Sequence, residues 1–508
     1  SDNVTTRFSF SDQRNEGITP NHSLNKQYFD LHSELKSKYL DLSVKVNYMR
    51  QKGEGRPAQG EYGVMKSFVT MPRGIRLSDL EDPIGTNGNT VNWSGTSAQY
   101  RNPYRDVYGA NLNNDQTNRI IGSVQAVGKI TDWLKLTGRV GIDWYNNKRV
   151  TQNVYAQNIT DTNYNLVLAN TEEFNADLML NFNKRFGDFD ITANFGTAMT
   201  ANKYQAMSGS SGYFNVPGFP TIGNGNNQTV TEDFSKKRIN SVLGNASFGW
   251  KSMVYLDVTA RNDWSSTLPI DNRSYFYPSV SLSGIISEMV KMPEQISYLK
   301  LRTSYAQVGN DTDPYKLRSI FYFETFGGGN VNTTPGDPNN GNLSILPLTT
   351  LKPEDTRSFE VGLEYRMFNN RLGLDVTYYN ANTLNQILNV TTPGSSGYER
   401  QLINAGKMRS YGTEVSLTGT PIATKDWNWD VTLNWGFNRT KCVELDEQLK
   451  TFIIGETRIG KVVVNEGGKY GDIVALKHYE RDDNGNILIG DNGMPIITSG
   501  EKKIGNMT

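Results

Sequence analysis

At 508 residues the chain could hold three ordinary soluble domains or one very large closed sheet. Lys plus Arg and Asp plus Glu both total 52, so there is no basic excess to gather a phosphate backbone, and nucleic acid is excluded as a partner. Mean hydropathy is −0.55 and no run approaches the roughly 18–20 apolar residues of a membrane helix, which excludes helical insertion but not a barrel, whose strands are half polar.

From the start, Val4, Thr6, Phe8 and Phe10 alternate with Thr5, Arg7 and Ser9, so the chain enters a strand almost at once. No signal peptide precedes it, and the chain reads as an interior piece of a longer protein. Strands then come in pairs: 24–36 with 39–50, 118–130 with 133–146, 172–184 with 188–202, 236–250 with 252–264, and 355–367 with 370–382. Tight turns join each pair, at Lys36–Lys38, Thr131 and Asp132, Phe186–Asp188, and Asn369 with Asn370. Long links such as 51–117, 204–234 and 310–354 separate the pairs. Outer-membrane barrels show this alternation, with tight turns at one rim and large external loops at the other.

The strands carry the same two-faced pattern. Val254, Leu256, Val258, Ala260 and Trp264 alternate with Tyr255, Asp257, Thr259, Arg261 and Asp263. Leu134, Leu136, Val140, Ile142 and Trp144 alternate with Lys135, Thr137, Arg139, Asp143 and Tyr145. Successive strand side chains point to opposite sides of the sheet, so each segment divides an apolar from a wet environment. Lengths near a dozen residues suit a tilted membrane crossing, and Tyr48, Trp133, Trp144, Trp250, Trp264, Tyr378, Tyr379 and Trp427 lie near strand ends, where lipid-interface girdles would put them. The expected fold is therefore all-β: a large antiparallel transmembrane β-barrel, with about 16 strands in this chain.

Chemistry-bearing constellations are sparse. His22, His32 and His478 are the only histidines, none has ligand spacing, and polar lumen or loop positions account for them. Cys442, the single cysteine, reads as a half-buried strand residue. Arg481–Asn492 superficially resembles a calcium loop, but Ile487 occupies the position of its glycine and no glutamate follows, so a turn on Asn484-Gly485 is expected. No catalytic group, metal site or cofactor is assigned. The loop between about 80 and 110 is rich in rings and amides. Trp93, Gln99, Tyr100, Tyr104 and Tyr108 are the candidate substrate or lid contacts, because flat rings stack on sugars or peptide groups and amides supply hydrogen bonds.

Three stretches carry more than pattern: ARNDWSSTLP at Ala260–Pro269 with YFYPSVS after it, LKPEDTRSFEVGLEYRMFNNRLGL at Leu351–Leu374, and NAGKMRSYGTEVSLT at Asn404–Thr418. With EGGKYGDIVAL at Glu466–Leu476 and KKIGN at Lys502–Asn506, they resemble the SusC/RagA family of TonB-dependent outer-membrane transporters of Bacteroidetes. The resemblance implies a 22-stranded barrel with long extracellular loops, occluded by an N-terminal plug and energised through TonB. It implies a SusD-like surface lipoprotein as lid, a dimer of that pair, outer-membrane lipids around the barrel, and import of oligosaccharides or oligopeptides. Residues 1–508 would then be a partial barrel domain, with the plug and the last strands outside them. An outer-membrane barrel enzyme and a passive porin or adhesin remain as alternatives.

Overall fold

The computed structural model describes residues 3–56, 64–83, 91–93, 102–108, 113–154, 162–318, 321–326, 330–335, 345–396, 398–446, 449–457 and 459–507. The first strands are β1 (Val4–Glu16), β2 (Ser23–Lys36), β3 (Leu40–Arg56), β4 (Asn113–Lys129), β5 (Leu134–Asn153), β6 (Asn163–Phe186), β7 (Phe189–Ser210), β8 (Thr229–Trp250), β9 (Val254–Ser265), β10 (Ser274–Ile285) and β11 (Ile296–Asn310). After them come β12 (Phe321–Phe326), β13 (Asn330–Pro335), β14 (Ile345–Leu346), β15 (Glu354–Met367), β16 (Leu372–Leu384), β17 (Ile387–Thr391), β18 (Arg400–Asn404), β19 (Lys407–Ala423) and β20 (Asn428–Glu444). The last four are β21 (Thr451–Glu456), β22 (Gly460–Asn465), β23 (Asp472–Tyr479) and β24 (Ile497–Asn506). Helices are short: α1 (Val64–Thr70), α2 (Pro103–Tyr108) and α3 (Ile286–Met289). No helix among the described residues is long and apolar enough to cross a membrane, which says nothing of a β-barrel.

Fifteen strands, β1–β11 with β15, β16, β19 and β20, make one sheet in that order, against the 16 expected. Each pairs with the next long strand along the chain, so local hydrogen bonding builds the whole wall. The chain divides into two compact units, Ser1–Met179 with Ala198–Arg238, and Leu180–Thr197 with Ile239–Thr508.

In the second unit the register aligns the apolar faces of successive strands. Leu256 stands opposite Phe248 and Leu282, Leu301 opposite Leu363, Leu363 opposite Val376, Val376 opposite Val415, and Val415 opposite Trp435. These side chains are not core. Leu301 is 48% exposed, Phe359 47% and Trp435 59%, where the inner face of a soluble sandwich would be covered by a second sheet. On β9 the eleven residues from Val254 to Trp264 span about 33 Å of strand, or about 25 Å of depth at a tilt near 40°, the height of an outer-membrane barrel's apolar band. Lys251 and Ser252 turn the β8–β9 connection in the left-handed region, with φ of 51° and 59°, and Met253 N–H donates to Trp250 O at 2.9 Å to close a three-residue loop between the paired Trp250 and Val254.

In this unit the packed core sits at the strand ends and in the connections beside them. Leu268, Leu351 and Leu402 form one cluster with Tyr275 and Ile387 against it. Met408, Cys442, Leu445 and Val464 form another. Cys442 is 1% exposed, so it is fully rather than half-buried: the β21–β22 hairpin covers the end of β20. Two further expectations need correction. Tyr378 is exposed on the apolar face, but its neighbour Tyr379 belongs to the polar face by strand alternation and cannot join the girdle. The strands also run past their expected outer ends, to Asn153 on β5 and back to Asn163 on β6 and Thr229 on β8. On β5 (147–153) and β8 (229–235) those extensions carry polar residues at both parities, so the alternation that marks a half-apolar strand is broken there.

β21 to β24 form a separate four-stranded sheet. In it Asp472, nearly inaccessible to solvent, accepts from Lys503 Nζ at 2.6 Å and Asn506 Nδ2 at 2.7 Å. Burial alone would push this carboxyl up, but the bonds from Lys503, Asn506 and Asn465 outweigh it and hold the carboxyl below its ordinary value. A folded-state value depressed in this way gives stability that is present above the unfolded carboxylate range, near pH 4, and is lost as pH falls through the folded value. Amide protection along β23 and β24, measured relative to the intrinsic exchange rate at each pH, should therefore fall as pH drops below about 4, and Asp472→Asn should flatten that dependence. An unchanged pH profile in the variant would remove the assignment.

Candidate functional site

The predicted contact loop is only partly described. Gln99 and Tyr100 lie outside the described residues, and Trp93 is half-buried. Tyr104 and Tyr108 fall on α2. The sequence Asn102-Pro103 starts that helix: Asn102 Oδ1 accepts from the Tyr104 N–H at 2.9 Å, and proline occupies the first helical position, where no N–H is needed. Asn102 is fully buried and its Nδ2 donates to Leu80 O at 2.8 Å, while Arg105 reaches Asn153 on β5. The loop thus has a polar anchor, Asn102 and Arg105, that the sequence reading passed over. The Asn102-Pro103 pair at the start of α2 is the available signal.

The polar face of the second unit is built in rows. One row of directly opposed residues runs Asn245, Thr259, Ser279, Ala306, Ser358, Ala381, Ser410 and Thr440 from β8 to β20, every member small or amide and none charged. Asn181 donates to Asn194 at 2.7 Å and Asn194 to Asn245 at 3.2 Å, which carries the row through the second-unit parts of β7 and β6. Hydroxyl contacts at 2.6 Å between Thr259 and Ser279 and at 2.9 Å between Ser410 and Thr440 close others of its links.

Nearer the tight turns, charges appear as pairs. Arg302 grips Asp375 with both terminal nitrogens, at 3.0 and 2.7 Å, and donates to Thr377 at 2.6 Å. To get there its side chain crosses β15 over Gly362, where there is no room for a Cβ. Tyr379 likewise lies across Gly412 and accepts from Asn438 Nδ2 at 2.9 Å. Register is what makes these pairings, and a single strand's alternation carries no register. Along this face Asp375 pairs with Arg302, and Glu364 with Arg366 at 2.5 Å. Neutralised pairs suit a structural wall better than an acid/base couple, and no group of three His, Cys, Asp or Glu side chains among the described residues could hold a metal. His32 sits on the polar face of β2, bonded to Ser43 at 3.3 Å and beside Glu34 at 3.1 Å.

The most specific sequence motifs resolve as staples at the outer strand ends. Asp263, 4% exposed, accepts from Arg261 Nε at 2.8 Å and from the Tyr277 hydroxyl, and Arg261 also reaches Ser241 at 2.9 Å. Ser265 and Thr267 converge on Asp311, at 2.5 and 3.1 Å. Asn404 ties two connections at once: its amide donates to Lys352 O at 2.8 Å and Asn385 O at 3.0 Å, and its carbonyl accepts from Lys352 N at 2.7 Å. Asp482 accepts from the N–H groups of Asn484 at 3.0 Å and Asn486 at 2.8 Å, a closed turn in place of a calcium loop.

Comparison with known proteins agrees with this architecture. Residues 70–458 match the family described as "TonB dependent receptor-like, beta-barrel". TonB-dependent receptor P26 of Formosa agariphila is 31% identical over 287 residues, covering 54% of this chain and 28% of the relative. TonB-dependent receptor SusC of Bacteroides thetaiotaomicron is 26% identical over 286 residues, covering 52% and 28%. The RagAB peptide transporter superposes over 99% of this chain and 56% of its own, with a TM-score of 0.79 at 18% identity, a likeness of fold. The chain thus spans roughly a third or less of the curated relatives described here.

Proposed function

The chain belongs to the TonB dependent receptor-like β-barrel family, whose barrels lie in the outer membrane, and from that membership we propose that its protein imports oligosaccharides or oligopeptides actively across that membrane. TonB supplies the energy, a SusD-like lipoprotein covers the outer face, and the pair works as a dimer. The observation that carries this reading is the register-matched wall: an exposed apolar face continuous over successive strands, backed by a polar face with one uncharged row and ion pairs such as Arg302–Asp375. A wall of that kind suits a wet interior that holds no reactive constellation. RagAB is titled a peptide importer, and that supports the peptide limb only as far as a shared fold does.

Growth of a deletion strain on defined oligosaccharides and on defined peptides tests the reading. Loss of growth on one class, with uptake abolished by a protonophore, is expected. Uptake that persists without energy would instead favour a passive porin, and normal growth on both classes would refute import of either. Within the transporter we propose that the 80–110 loop meets cargo or lid through Trp93, Gln99, Tyr100, Tyr104 and Tyr108. Substituting Trp93 and Tyr104 by alanine should weaken ligand binding by about tenfold or more, at the 1–3 kcal/mol common for buried aromatic contacts, and unchanged affinity would discard the loop as the contact.

A further inference from the structure

β7 and β8 are neighbours in the sheet. Asn194 donates to Asn245 at 3.2 Å toward their inner ends, and Thr229 O lies 3.9 Å from where a Cβ on Gly209 would sit at their outer ends, so one antiparallel register joins the two contacts. That register sets Lys203 opposite Lys236. Arg238 Nη2 donates to Met199 Sδ at 2.9 Å, which puts the even residues of β8 and the odd residues of β7 on one face. Lys203, Lys236 and Arg238 share that face, and all three are exposed.

Along β8 the same parity runs on to Phe248 and Trp250, each 41% exposed on the apolar side. Asn240 stands opposite Trp264, which closes the apolar run of β9. Arg238 and Lys236 come two and four residues farther out, about 5 and 10 Å of depth at a tilt near 40°, where hydrocarbon gives way to head groups. The patch continues the lipid-facing wall and adds charge to it. Like charges set directly opposite one another destabilise a sheet. Among the described residues no carboxylate lies within 4.0 Å of either lysine ammonium. Glu172, which the Thr200–Asn175 bond of 2.8 Å sets across from Lys203 on β6, makes no ion pair with it. An anion between β7 and β8 relieves the repulsion, and a lipid that lays its tails on the apolar wall presents its phosphate at this height.

We propose that Lys203, Lys236 and Arg238 clasp the phosphate of an anionic membrane lipid whose tails lie on the apolar wall. The site is independent of the import reading, since neither the cargo nor the energy source enters it. It rests on the lipid-facing wall, which Val258→Arg tests separately.

Native mass spectrometry of the full-length protein in detergent tests it, with phosphatidylglycerol as probe and phosphatidylcholine and inorganic phosphate as comparators. Tighter binding of phosphatidylglycerol than of phosphatidylcholine is expected, weakened about tenfold or more when Lys203→Gln and Lys236→Gln are combined. Lys237→Gln removes the same charge from the opposite face of β8 and should change the affinity by less than about twofold. Equal heat-modifiability of the variants on gels establishes that they fold. No preference for phosphatidylglycerol, unchanged affinity in the double variant, equal weakening by Lys237→Gln, or displacement of the lipid by equimolar inorganic phosphate would each overturn the assignment. A lipid-free dimer that the double variant loses would overturn it too, by making the patch a contact between copies of the chain.

Discussion

Val258→Arg is expected to destabilise the full-length barrel by about 2–4 kcal/mol in lipid vesicles, while Thr259→Arg, one residue along the same strand, should cost under about 1 kcal/mol. The two sites share depth, midway between Val254 and Trp264, and differ only in the face they occupy. Val258 stands opposite Ala246 and Val280 on the exposed apolar side, and Thr259 opposite Asn245 and Ser279 on the polar side. An arginine among hydrocarbon tails loses its hydration, whereas one on the wet face keeps it. Urea titration of folding into vesicles reads both variants against the parent. Equal costs on the two faces would mean that lipid does not contact the apolar side.

The second large effect is expected at Asp263. Asp263→Ala leaves the Arg261 guanidinium and the Tyr277 hydroxyl without their shared acceptor. Breaking a fully buried pair costs about 3–5 kcal/mol by stranding a charge. Arg261 retains 38% side-chain exposure, and water can take up part of its charge, so about 2–3 kcal/mol is expected here. Tyr277→Phe should cost only about 1 kcal/mol, because it removes one bond and strands no charge. The midpoint of heat-induced unfolding, followed by gel mobility, measures both. Asp263→Ala melting with the parent would show that the outer end of β9 does not depend on this cluster.

Much of the wall was legible because the bilayer imposes a rule that a single strand must obey alone. Val254, Leu256 and Val258 had to alternate with Tyr255, Asp257 and Thr259 whatever their neighbours were, so face and strand could be read together. Beyond the lipid the rule lapses: the outer parts of β5 and β8 carry polar residues at both parities, so nothing in their sequence marks how far the strands extend. Arg302 with Asp375 and Tyr379 with Asn438 depend on register across three strands, which no one segment encodes. The small sheet from β21 to β24 has irregular pairing, with register shifts at Ile453 and Gly455 and again along β23, so its alternation is broken where a reader would look for it.

The motifs that carried the family resemblance turned out to be Asp263, Leu351, Asn404 and their neighbours, residues that fasten one connection to another. Residues that fasten connections touch no solute, so a match at those motifs carries no information about one. The contact loop suffered the opposite difficulty. Its rings are visible in the sequence, but the buried amide of Asn102 that sets α2 in place bonds to Leu80 O, 22 residues away, which no local pattern marks.

The uncharged row from Asn245 to Thr440 gives this part of the wall a dielectric seam. A charged group drawn along it would find no fixed counter-ion in that row and would be bound there by hydroxyl and amide dipoles alone, with little to trap it. Short side chains also keep relief low, so the seam is where the lining protrudes least. Motion along the wall should therefore meet its smallest electrostatic and steric barrier at this height.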